Sequence, residues 1–261
     1  METLRTAAAI RHARSLFNLE RQMDSTNDLR KKFRELFDAE FQDGRGHFSP
    51  QTIELAEELS AAHEAKDDPT TPLAPGAEIT AELAAKGLSA RMGTPTVIYT
   101  SPYKRTLDTL DAMTGGWPEL TGVRVIKKDL LKEQEHGKVL TLPDWRTLMV
   151  LDPEALKVRS TTSEYYYRYP GGESKSDVRI RAGQMLTEAA LKNPGKEVIF
   201  VTHHVTTLGL CAEVEDWDEE EFLDRDKYNK PENASVTIFR SSNERGGDLA
   251  LDPKEYGMIF Y

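Results

Sequence analysis

Cysteine is nearly missing: Cys211 is the only one in 261 residues, which excludes a disulfide within the chain and any cysteine-built zinc cluster. Long apolar runs are missing too. No stretch approaches the roughly 20 residues a bilayer span needs, and the opening "METLRTAAAI" has no long apolar core of a secretory leader. Positive charge is in deficit, with 34 Lys plus Arg against 44 Asp plus Glu, a balance of −10. That balance argues against a surface that neutralises nucleic-acid phosphates, and it confines basic character to a pocket. Neither G-x-x-x-x-G-K-[ST], G-x-G-x-x-G nor G-x-S-x-G occurs, so nucleotide-loop and serine-hydrolase chemistry lack their usual frames. The expectation is a soluble cytoplasmic protein with neither a nucleic-acid nor a membrane partner.

What is present is a succession of short apolar runs, at 7–10, 97–100, 123–126 and 197–202, each ending in polar residues. They are too short for helices and read as buried strands. Between them, "SPYKRTLDTLDAM" predicts a helix with Ser101 as N-cap and Pro102 at its first position. Residues 174–192 place Val178, Ala182, Met185, Leu186 and Ala189 at helical spacing and stop at "NPG". The alternating run 234–240 predicts a further strand. Alternating strands and helices indicate an α/β layered sheet, whose ligands gather at the carboxyl ends of the strands. His12, Ser101 and His203 all follow such ends. Residues 19–75 are highly charged, with helices expected at 28–42 and after Ser49-Pro50; they read as a helical insertion and a candidate lid on one domain spanning 1–261.

Taken singly, a buried histidine or a helical arginine is ordinary. Together the polar residues at the strand ends suit phosphoryl transfer, which needs a nucleophile, donors for the equatorial oxygens and an acid for the leaving oxygen. His12 supplies the nucleophile if its ring is neutral and one nitrogen donates to a carbonyl. Arg11 and Arg105 offer planar forks, and Ser15, Asn18 and the amides after Ser101 offer neutral donors. Glu133 can hold the proton, with Glu135 a rival on the same face of an extended segment.

The segments "IRHARSLFN", "TSPYKRTLDTL", "LLKEQEHG", "YYYRYPGGESKSDVRIR" and "VIFVTHH", in that order, resemble the histidine phosphatase, or phosphoglycerate mutase-like, superfamily. The fourth segment, "YYYRYPGGES" followed by "DV" and an arginine, together with "PENASVTIFR", resembles its fungal and bacterial broad-range phosphatases. The resemblance implies a three-layer α/β sandwich with a mostly parallel sheet, and hydrolysis of phosphate monoesters through a phosphohistidine on His12 without metal or cofactor. It implies phosphate binding by Arg11, Asn18 and Arg105, a proton held by Glu133 in the spacing Leu131, Glu133, Gly137, and a second pocket histidine, His203. The partner implied is a small phosphorylated substrate.

Three positions depart from the family pattern. Ala13-Arg14 replaces Gly-Glu, and Ala13 fits only if its φ stays negative or its surroundings hold a strained conformation. His204 replaces the glycine that follows the second histidine. Mutase-type transfer is the alternative activity, but "EQEH" stands where mutases show "ERHY", and their later arginine pair is missing. A phosphate-binding scaffold without turnover is the alternative class. His203-His204 as a metal site is disfavoured, since neighbours on a strand face opposite ways and partner spacings are lacking. Tyr165–Tyr167 read as core and pocket wall rather than a stacking platform, given the acidic chain.

Overall fold

The computed structural model describes residues 3–24, 26–42, 45–65 and 67–261. Part of the insertion expected over 19–75, namely Ser25, Asp43, Gly44 and Lys66, lies outside the described residues. In chain order the strands are β1 Thr6–Arg11, β2 Phe41–Gln42, β3 Arg45–Gly46, β4 Val97–Thr100, β5 Arg124–Lys127, β6 Glu197–Thr202, β7 Val236–Ser241 and β8 Leu249–Leu251. The helices are α1 Leu16–Asp24, α2 Asp28–Glu40, α3 Pro50–Ala61, α4 Glu78–Ser89, α5 Lys104–Gly116, α6 Trp145–Leu151, α7 Pro153–Arg159, α8 Lys175–Lys192, α9 His204–Glu215 and α10 Glu219–Tyr228. Contacts divide the chain into two compact units, one of residues 1–16, 69–133 and 178–261, the other of residues 17–68 and 134–177.

The first unit is built on a six-stranded sheet in the order β5-β4-β6-β1-β7-β8. β5, β4, β6 and β1 run parallel, β7 pairs antiparallel with β1 and β8 antiparallel with β7, so β7 alone opposes the other five strands and the sheet is mostly parallel. Every residue of β6, and Thr6 to Ile10 of β1, is buried on whichever face it points to, so helices cover both faces of the sheet. The expected buried strand at 123–126 is displaced by one residue and mostly exposed, because β5 is the sheet's edge. α9 is apolar all round and buried from Val205 to Ala212, so it shows no amphipathic period for a sequence to reveal.

The register decides where chemistry can sit. Arg11 pairs with Thr202 and Thr100 with Val201, so β1, β4 and β6 end side by side. The next residues, His12, Ser101 and His203, therefore emerge together. Backbone bonds pin two of these exits, His12 N–H donating to Thr202 O at 2.8 Å and Ser101 N–H to Val201 O at 3.0 Å.

The helix expected to start at Ser101 starts later. α5 begins at Lys104 with Tyr103 as N-cap and no side-chain cap, and Pro102 lies in the preceding bend. Ser101 Oγ instead accepts from Tyr103 N–H two residues on, at 3.3 Å, a local turn that competes with capping.

The second unit packs aromatic rings between helices. Phe37 stacks on Phe41 and Phe48 at 4.8 and 5.5 Å and meets Trp145 edge-on at 5.3 Å. α2 and α3 are capped by Asn27 and Ser49, the latter with Pro50 at the first turn as expected. Segments 135–138 and 170–173 run backbone to backbone, Lys138 N–H donating to Pro170 O and Glu173 N–H to Glu135 O. A Cβ on Gly172 would fall 2.3 Å from Glu135 O, and one on Gly137, at φ +50°, equally near Pro170 O; only glycine fits. Ser174 and Asp177 then cap α8 reciprocally, Asp177 accepting from Ser174 N–H and Ser174 Oγ from Asp177 N–H. Arg168 beside it, and these capping bonds, hold the Asp177 carboxyl at about 2.

Candidate active site

His12 is buried, and its Nδ1 lies 2.7 Å from the carbonyl oxygen of Ala13. A carbonyl only accepts, so Nδ1 carries the proton and Nε2 keeps a lone pair. Burial first, then the charges of Arg105 and Arg11, hold His12 well below the ordinary histidine value. The resting ring is therefore neutral at pH 7, the state a nucleophile requires.

His203 follows β6 and is fully buried, its ring edge-on to His12 with centroids 5.1 Å apart. Its Nε2 is 2.8 Å from Ser101 Oγ. Burial, then Arg105 and His12, keep it well below the ordinary value and so neutral as well. Arg105, near the start of α5, is buried with its guanidinium 4.9 Å from the Tyr103 ring, and that ring meets His203 edge-on. Arg11 donates from Nη1 to Pro231 O at 2.7 Å. Burial lowers its value, while the charges of Glu133 and Glu232 work against that.

Glu133 accepts from the N–H groups of His204 and Val205 at 3.1 and 3.2 Å, at the N-terminus of α9 and next to His203. The segment carrying it is tied down by Thr202 Oγ1 to Leu131 O and by Arg181 to Leu130 O, both at 2.8 Å. The rival Glu135 has an exposed side chain and belongs to the second unit, its backbone engaged with Glu173. Ser15 is buried in a bridge with Leu73 within the first unit. Asn18 is half-buried on α1 and belongs to the second unit. The structure thus gathers Arg11, His12, Arg105, Glu133 and His203 by register, short tethers and charge.

The departures find ordinary physical explanations. Among the described residues the non-glycines at positive φ are Asp216 and Ala234, so Ala13 keeps the backbone an alanine tolerates. Its N–H donates to Thr109 Oγ1 at 2.9 Å, and that hydroxyl donates to Arg105 O. His204 is turned to Asp226 on α10, Nε2 to carboxylate at 3.0 Å, leaving only its N–H for Glu133. Arg14 is half-buried and its carbonyl accepts from Ala74 N–H.

Sequence reasoning missed the clamp on the β1 exit. Asn233 Nδ2 donates to His12 O at 3.0 Å, Ala234 N–H reaches Arg11 O and His12 O, and Tyr261 Oη donates to Asn233 O. "PENAS" carried that signal as a turn before a strand. Thr109 was legible as the residue one helical turn after Arg105. Among the described residues, no group of three or more His, Cys, Asp or Glu is arranged to hold a metal ion, and no helix is long and apolar enough to cross a membrane.

Fold and site together define an α/β protein with a histidine and arginine centre at the ends of parallel strands. The sequence signature of the histidine phosphatase superfamily (branch 1) matches residues 56–250, and the chain belongs to that superfamily. A phosphoglycerate mutase-like protein of Arabidopsis thaliana is 26% identical over 163 residues, covering 59% of this chain and 48% of the plant protein. The chain thus spans about half of that relative's length. Among solved structures, YhfR of Bacillus stearothermophilus superposes with a TM-score of 0.61 at 19% identity, covering 97% of both chains. A mycobacterial glucosyl-3-phosphoglycerate phosphatase gives 0.58 at 19% identity over 90% of this chain and 89% of its own. At such identities these two show the shared fold.

Proposed function

We propose that the chain is a phosphoric monoester hydrolase acting on a small phosphorylated substrate through a phosphohistidine on His12. The observation that carries this is the Nδ1 contact with Ala13 O, which leaves the Nε2 lone pair of a neutral, buried imidazole available for attack. In the first step Nε2 bonds to phosphorus, the ester P–O bond breaks, and the leaving oxygen takes a proton from Glu133. In the second, water gives that proton back to Glu133 as its oxygen bonds to phosphorus and the N–P bond breaks, releasing phosphate. Arg11 and Arg105 bind the equatorial oxygens through planar forks, His203 stabilises the transferring group, Asn18 is the neutral donor that family resemblance assigns, and Ser15 is a further hydroxyl donor. No step calls for a metal. The phosphatase neighbour among solved folds and the superfamily membership support this reading.

The purified chain is expected to release inorganic phosphate from monoesters, with His12→Ala losing the activity by about 10⁴-fold or more, the scale seen when a covalent nucleophile is removed. Release unchanged in His12→Ala would sink the proposal. The name of the plant relative favours mutase transfer as a second reading. Feeding 3-phosphoglycerate separates the two, since a mutase returns an isomeric ester and a phosphatase returns free phosphate. Phosphate binding with neither product would leave a scaffold.

A further inference from the structure

The proposed chemistry gives His203 a role but does not say which ring nitrogen carries its proton. His203 is fully buried and its Nε2 faces Ser101 Oγ at 2.8 Å, yet its Nδ1 is buried with no hydrogen-bond partner among the described residues. Leaving such a ring nitrogen unmet costs about 1–3 kcal/mol, a cost tolerated where a ligand supplies the missing bond. The ring stands edge-on to the nucleophilic His12 and close enough to Arg105 to feel its charge. Any group drawn there by the charges of Arg105 and Arg11 is an anion. A lone pair on Nδ1 repels an anion's oxygen, whereas an N–H binds it, so the position of one proton decides whether His203 helps or hinders.

Ser101 is placed to decide it. Its Oγ accepts from Tyr103 N–H, and among the described residues Nε2 of His203 is the one acceptor within reach of its own buried proton, which would otherwise go unpaired. Burial of Ser101 removes water as the competing acceptor. We infer that Ser101 is a positioning residue for His203: its Oγ–H donates to Nε2, which keeps the ring proton on Nδ1 and presents that N–H to an oxygen of the bound phosphoryl group. The delayed start of α5 follows from the same arrangement, since the hydroxyl that would cap a helix begun at Pro102 is turned to the histidine. The inference rests on the phosphatase proposal for the identity of the anion. The tautomer belongs to the resting chain.

The test uses the full chain labelled with ¹⁵N in its histidine rings, the His203 signals being assigned by their loss in His203→Gln. At pH 7, proton–nitrogen correlations are expected to show Nδ1 protonated and Nε2 bare, with the Nδ1–H resonance shifting when inorganic phosphate is added. In Ser101→Ala the proton is expected to move wholly or partly to Nε2, and kcat for p-nitrophenyl phosphate to fall about 10- to 100-fold, somewhat less than the loss of an entire oxyanion donor. Ser101→Thr, which keeps the hydroxyl, is expected to recover the wild-type tautomer. A wild-type His203 protonated at Nε2, or a Ser101→Ala protein with tautomer and kcat unchanged, overturns the inference. If Nδ1 is protonated but no form of the chain releases phosphate, the tautomer assignment stands and the phosphatase proposal fails.

Discussion

The strand ends of the first unit and the aromatic core of the second bury opposite kinds of side chain. At the strand ends of the first, His12, Ser101, Arg105, Thr109, Thr202 and His203 are all buried and polar, each held by a specific bond or charge. At the heart of the second lie Phe33, Phe37, Leu55, Leu59, Leu148 and Met149, with Tyr167 the polar tip, donating to Ala155 O. Aromatic and aliphatic burial contributes stability roughly in proportion to area. Buried polar groups contribute little net stability once their desolvation is counted, and they fix geometry instead. The difference sets a centre that fixes geometry, carried on the first unit's own apolar core of Ile10, Ile98, Ile199 and Phe200, against a core that supplies packing alone.

Phe37→Ala tests the packing side and carries the largest expected effect on stability. Removing a ring in contact with Phe41, Phe48 and Trp145 should cost about 3–5 kcal/mol. Hydrogen exchange should show lost protection concentrated in residues 17–68 and 134–177; equal loss everywhere would make the two units a single cooperative one. Arg105→Lys tests the chemical side. It keeps the charge and gives up the fork, so kcat/KM for phosphate release should fall about 10²- to 10³-fold, as for loss of one oxyanion donor, with the denaturation midpoint little moved. A large drop in stability with activity intact would reverse the contrast.

How far this contrast was legible in the sequence depends on the residue. His12 and His203 were placed at strand ends because short apolar runs stop there, and parallel register then brought them together, as it did Arg11. Ser101 was misread. S-P looks like a helix start, and only the tertiary contact with His203 shows why the hydroxyl does not cap α5. Glu133 and Glu135 share a face in an extended chain, but Glu133 is held by the N–H groups at the start of α9 while the Glu135 side chain is exposed, a distinction that spacing alone does not encode. The "GGES" and "SD" letters that marked the family are in this chain a close backbone crossing and a capping box, which is structure rather than catalysis. α9 was invisible because uniform burial erases periodicity.

The two neutral histidines predict a pH dependence of stability whose sign is fixed. Both are held well below the unfolded value near 6.5, so as pH falls through that value the unfolded chain binds protons the native one refuses. Stability is retained above about pH 6.5 and lost below it, at up to about 1.4 kcal/mol per pH unit for each histidine. Urea midpoints between pH 7 and 5 should therefore fall, and replacing His12 and His203 together with Gln should flatten the slope. A slope unchanged by the double substitution would place the titrating groups elsewhere. The same depression keeps His12, the proposed nucleophile, unprotonated, so the acid limb of activity should lie below the ordinary histidine range.

The smallest effect concerns the clamp on the β1 exit. Ala234 is fully buried at φ +57°, a conformation that costs an L-residue about 1–2 kcal/mol, and its N–H reaches both Arg11 O and His12 O. Ala234→Gly removes that cost but also a buried methyl worth about 0.8 kcal/mol and adds freedom to the unfolded chain. The three terms nearly cancel, so stability should change by less than about 1 kcal/mol. Ala8→Gly, in the middle of β1 with ordinary strand backbone, gains nothing in return and should cost at least about 1 kcal/mol more. Equal losses at the two sites would mean that no strain is held beside His12, and that the polar centre is as relaxed as the aromatic one.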